Sequence, residues 1–144
     1  MYKILVATDG SEQSQKTIDE TARIAAPLGA EVTVLSVVED ASSMNYASSI
    51  PEEVMRRVRQ DQEKYYSRAV EEAKASLAAK GIKTKSLVVK GDPVDVICKT
   101  AEEEGSDLII VGRRRLSKLE GILLGSVSNK VMINAKTNVM VVKQ

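Results

Sequence analysis

The chain has 144 residues, 43% of them apolar and 28% charged, with a formal net charge of +1. It is long enough for one self-sufficient core and carries no global field that would draw nucleic acid. Histidine, phenylalanine and tryptophan are absent and there is one cysteine, which removes Ser-His-Asp and Cys-His catalysis, His-ligated metals, intrachain disulfides and aromatic platforms for single-stranded nucleic acid.

The first apolar run, Ile4–Ala7, meets a charge at Lys3 and a turn at Gly10, too soon for a signal peptide, and no stretch reaches the length of a membrane span. The expectation is a cytoplasmic protein without membrane contact. Four further runs follow: Val32–Val38, Ser86–Val89, Leu108–Val111 and Val139–Val142. Most are continuous in Val, Ile and Leu rather than alternating, the pattern of parallel strands covered on both faces.

Segments of helical period lie between them. Ile18, Ala22, Ala25 and Leu28 form one stripe, closed by Gly29. The segment from Ala41 to Ile50 is the most loop-like in the chain. Pro51 to Lys80 follows as a charged helix of roughly 45 Å if unbroken, with Tyr66, Val70, Ala73 and Leu77 facing inward and Gly81 closing it. Polar residues interrupt that stripe at Asp61 and Gln62, so its first half should be less buried. A third helix starts at Asp92 as N-cap with Pro93 in the first position, and turns Val94, Ile97, Cys98 and Ala101 inward. Cys98 reads as a small core residue. The last helix is expected near Ser126–Asn134. Alternation of this kind specifies one doubly wound α/β domain spanning residues 1–144, with helices on both faces of a parallel sheet.

Ligands of such sheets bind beyond the carboxyl ends of the strands, where strand order reverses. With strands 1 and 4 as central neighbours, the loop Thr8-Asp9-Gly10-Ser11 meets the loop that opens at Gly112. Asp9 can hold a ribose hydroxyl or a metal-bound water, and equally Asp9 or Ser11 can cap the first helix. Gly112 allows close backbone approach, and Gly125-Ser126 offers free N–H groups and a hydroxyl to an anion at a helix start, with Val127 and Ser128 extending that turn. Gly125 as a plain turn glycine and Ser126 as an N-cap is the simpler reading, and only the spacing of the glycines argues against it. No Walker sequence, no G-x-G-x-x-G and no cluster with metal-ligand spacing occurs.

The segments ILVATDGS, VLSVVED, GDPVDVI, SDLIIVG and LLGSVSNKVMINAKTNVMVVK together resemble the universal stress protein family over nearly the whole chain. Nucleotide-binding members carry glycine, two residues, glycine, nine residues, then glycine and Ser/Thr. Gly112, Gly125 and Ser126 match that pattern, and Arg115 stands where the second glycine belongs. The resemblance implies a five-stranded sheet of order 3-2-1-4-5 and a homodimer paired through the last strand, Asn138–Val142. It also implies an adenine nucleotide site of the ATP-binding subgroup. Asp9 would lie near the ribose, Val37 near the base, and Gly125, Ser126, Val127 and Ser128 around the phosphates, with Ala7 and Thr8 also among the nucleotide-binding residues; any Mg or Mn would ride on the phosphates.

A side chain at position 115 accepts a left-handed backbone only at roughly 1 kcal/mol or more. Arg115 either lends a guanidinium to a phosphate, swings outward, or obstructs the site. The leading expectation is a regulatory module that binds ATP or a related adenine nucleotide, with turnover slow or absent. The alternatives are a dimeric interaction protein whose Arg113, Arg114 and Arg115 contact an anionic partner, and a slow ATPase using Asp9 as base. Glu120 beside the arginine cluster and the near-zero net charge argue against nucleic acid. The last strand supports dimerisation independently, because its Val-Met-Val-Val run lacks the charges that protect a sheet edge.

Overall fold

A computed structural model describes residues 1–39, 49–112 and 126–143. Strands and helices alternate within them: β1 (Lys3–Ala7), α1 (Glu12–Leu28), β2 (Glu31–Val38), α2 (Glu52–Ala78), β3 (Thr84–Lys90), α3 (Pro93–Glu104), β4 (Leu108–Gly112), α4 (Ser126–Asn134) and β5 (Asn138–Val142). The strands form one parallel sheet of order β3-β2-β1-β4-β5. The expected fold class and strand order are therefore the observed ones.

The continuous apolar runs of the central strands are explained by burial on both faces. Ile4 and Val6 of β1 point to the side covered by α1 and α2, where Ile18, Ala22, Ala25, Val70, Ala73 and Leu77 meet Val32, Val34 and Ile110. Leu5 points to the other side, where Ile97 and Ala101 of α3 and Val131 of α4 pack on Leu35, Ile109 and Val111. The alternation of pleated side chains divides one run between two cores. Ile4 lies between Val32 and Leu108 in register, so β1 is the central strand and its neighbours follow it on opposite sides.

Helix ends follow the local chemistry. Ser11 is the N-cap of α1, its hydroxyl accepting the Ser14 N–H at 3.2 Å, and Gly29 closes that helix at φ 61°, a conformation open to glycine without strain. Asp92 caps α3 through the Asp95 N–H at 3.1 Å, with Pro93 at the first position. Helix α2 runs unbroken for 27 residues, and in its first half Met55 is the buried residue.

Two inward assignments change. Leu28 is 54% exposed because it lies at the end of α1, after Pro27. Cys98 is half-buried, since Ile97 and Ala101 take the inward face of α3 and its neighbour sits on the flank. Burial still pushes the Cys98 thiol above its ordinary pKa, with the carboxylates of Asp95 and Glu102 adding to the effect. The loop-like residues 41–48 lie outside the described residues, as do Arg113, Arg114, Arg115, Glu120 and Gly125.

Candidate functional site

β1 hydrogen-bonds β2 on one side and β4 on the other, so the chain leaves the sheet in opposite directions from these strands and opens a crevice over their carboxyl ends. A cavity of about 310 Å³ occupies it, at the lower end of the range for small-molecule sites. Its walls differ in chemistry. Leu35, Val37, Pro93, Ile97 and Val111 supply an apolar surface between β2, β4 and the start of α3. Thr8, Asp9 and Glu39 line it from the strand ends, and Val127 and Ser128 from the first turn of α4.

The β1–α1 loop is held rigidly. The Thr8 N–H donates to the Leu35 carbonyl at 2.9 Å, and Ser36 Oγ donates to the Thr8 carbonyl at 2.6 Å, so the loop leaves from a fixed point on β2. Thr8 Oγ1 accepts the Gly10 N–H at 3.2 Å and donates to Ser14 Oγ at 2.9 Å; Ser14 Oγ in turn donates to the Ser11 carbonyl at 2.6 Å. Asp9 Oδ1 accepts the Ser11 N–H at 2.9 Å. The helix cap is thus Ser11. Asp9 closes a turn with one carboxylate oxygen, while its exposed side chain still borders the cavity.

Across the crevice, Ser128 is buried and its Oγ donates to the Gly112 carbonyl at 2.8 Å. That bond ties the first turn of α4 to the end of β4. The unsatisfied N–H groups of a helix start, together with the helix dipole, favour an anion here.

Of the residues singled out in the sequence, Ala7, Thr8, Asp9, Val37, Gly112, Val127 and Ser128 line this one cavity. Ser126 begins α4, is exposed, and is not among the lining residues. Arg115 and Gly125 lie outside the described residues. Sequence reasoning missed Ser14 and Thr17 of α1, Gln62 and Tyr66 of α2, and Pro93 and Ile97 of α3. One signal existed: the polar interruption of the α2 stripe at Gln62 marks where the helix passes beyond the sheet and faces the cavity. Among the described residues there is no group of three or more Cys, Asp or Glu side chains placed to hold a metal ion, and no helix long and apolar enough to cross a membrane.

The sequence model of the universal stress protein family matches residues 1–143. The chain is 34% identical over 145 residues to universal stress protein YxiE of Bacillus subtilis, with 98% of each chain covered. Its structure superposes with a TM-score of 0.83, at 31% identity, on MJ0577, a universal stress protein of Methanocaldococcus jannaschii, covering 99% of this chain and 96% of that one. A universal stress protein solved in complex with cAMP matches with a TM-score of 0.73 at 28% identity, covering 99% and 96%. The chain belongs to the universal stress protein family.

Proposed function

We propose that this chain is a cytoplasmic, homodimeric stress-response module that binds ATP or a related adenine nucleotide as a regulatory ligand. The observation that carries the reading is the chemistry of one cavity: an apolar wall, a carboxylate at Asp9 and the start of α4 all open onto the same space. These match, in turn, a purine ring, a sugar hydroxyl and a phosphate. The relative in complex with cAMP supports an adenine ligand for the fold. Mg or Mn would accompany ATP on its phosphates, with Asp9 or water as outer support. A chain without histidine lacks the usual base near neutral pH, so binding rather than turnover is the function assigned.

The test is calorimetry of the purified, nucleotide-stripped protein with ATP and Mg²⁺. Wild type is expected to bind. Arg115→Gly is expected to weaken ATP about tenfold, the equivalent of one lost charge-assisted hydrogen bond, while leaving adenosine affinity unchanged. No detectable heat with wild type overturns the reading. Higher ATP affinity in Arg115→Gly makes Arg115 an obstruction and favours the interaction-protein alternative.

The homodimer rests on β5. It is a sheet edge, and Val139, Met140 and Val141 are only half-buried in the single chain. On the adjoining α4, Met132 is 48% and Ile133 73% exposed. An uncharged apolar edge of this kind is covered by pairing with a second copy. Val141→Lys is expected to convert a dimer to a monomer in sedimentation velocity with an unchanged far-ultraviolet circular dichroism spectrum. A wild-type protein that sediments as a monomer removes the dimer from the proposal.

A further inference from the structure

The α1–α2 wall of the cavity carries two polar groups that the fold itself does not use. Thr8 and Ser14 exhaust their hydroxyl protons within the β1–α1 loop. Thr17, one turn further along α1, is fully buried and lines the same cavity, yet its Oγ1 has no hydrogen-bond partner. Buried polar groups are otherwise paired almost without exception, so an orphan hydroxyl beside a cavity needs an explanation. A threonine in a helix has two χ1 rotamers open to it, and exchange of Oγ1 with the methyl group re-aims the hydroxyl without moving the helix.

Gln62 of α2 lines the same cavity. The inward stripe of that helix runs through Leu77, Ala73 and Val70 against the sheet, then continues through Tyr66 and Gln62 above the strand ends. A leucine would extend the stripe. The neutral amide, which both donates and accepts, faces the cavity instead.

We infer that Thr17 and Gln62 form a nucleoside-reading subsite, which hydrogen-bonds an uncharged edge of the ligand on the side of the cavity away from α4. This rests on the nucleotide reading above and adds two specificity-determining residues to it. Neither group is charged, so the matching ligand edge is a neutral one that donates and accepts, as the sugar hydroxyls and the base edge of adenosine both do.

The test uses Thr17→Val and Gln62→Leu, both close to isosteric, in calorimetry against adenosine and AMP, with thermal melts of the ligand-free proteins. Each variant is expected to lose about tenfold in affinity, by the same factor for adenosine and for AMP, with the ligand-free melting temperature unchanged or raised. Loss of that factor against 2′-deoxyadenosine assigns the contact to the sugar, and its loss against inosine assigns it to the base; either supports the subsite. Wild-type affinity in both variants overturns it while leaving nucleotide binding intact. A loss confined to AMP overturns it as well, since that places the residues at the phosphate. Wild-type protein that binds neither ligand overturns the nucleotide reading and this subsite with it.

Discussion

Leu35→Ala is expected to lower the unfolding free energy by about 2–3 kcal/mol and to widen the cavity in the same step. Leu35 has no exposed surface, packs in the core shared by α3 and α4, and also forms part of the cavity wall. Leucine-to-alanine changes in cores cost about 2–5 kcal/mol, the upper half of that range coming from the empty volume left behind. Here the new volume joins a cavity large enough to hold water, so the void contribution is reduced. Leu77→Ala, equally buried on the α1–α2 side and remote from the cavity, should therefore cost more, about 3–5 kcal/mol. Urea denaturation of the two variants checks the order. An equal or larger loss for Leu35→Ala would mean that its void is dry and closed. The thermal midpoint of Leu35→Ala should fall by roughly 5–10 °C.

The second large effect is expected at Gly10. Its φ of 79° lies in the left-handed region, and a Cβ built there comes within 2.9 Å of Ala69 Cβ and 3.1 Å of the Tyr65 hydroxyl. Two independent penalties meet in Gly10→Ala: about 1–2 kcal/mol for the backbone conformation, and about 1–3 kcal/mol for overpacking against α2. Ala69 Cβ is fixed to the helix backbone and cannot swing away, so the loop or α2 must move. A total loss of about 2–5 kcal/mol follows. Because the displaced loop carries Asp9 and the displaced helix carries Gln62 and Tyr66, AMP affinity should drop with stability. Calorimetry well below the new melting temperature separates the two. A variant that keeps wild-type AMP affinity after losing stability would show that the loop shifts without disturbing the cavity.

The fold was legible because its signals are local and repeated. Continuous apolar runs, a stripe at helical spacing before Gly29, and Asp92-Pro93 at a helix start each have one physical reading. Together they admit few topologies. The candidate site was legible in half. Asp9, Gly112 and the first turn of α4 lie at strand ends and helix starts, positions that local sequence signals mark and that line the cavity. Leu28 and Cys98 misled because helical spacing fixes a direction around the axis, whereas burial also depends on whether another element lies beneath.

By itself, the sequence determined the alternation of strands and helices, the caps, and the loops that meet at the crevice. Those properties depend on residues within a few positions of one another, through period, capping and turn chemistry. Tertiary structure alone decided that Thr17 and Gln62 share a cavity. These residues are 45 positions apart (62 − 17) and belong to helices whose placement depends on how the sheet twists beneath them. In the sequence Thr17 is an ordinary helix residue and Gln62 a break in a stripe. A hydroxyl without a partner exists only once the surroundings have closed around it, so the polar wall opposite α4 emerges from packing.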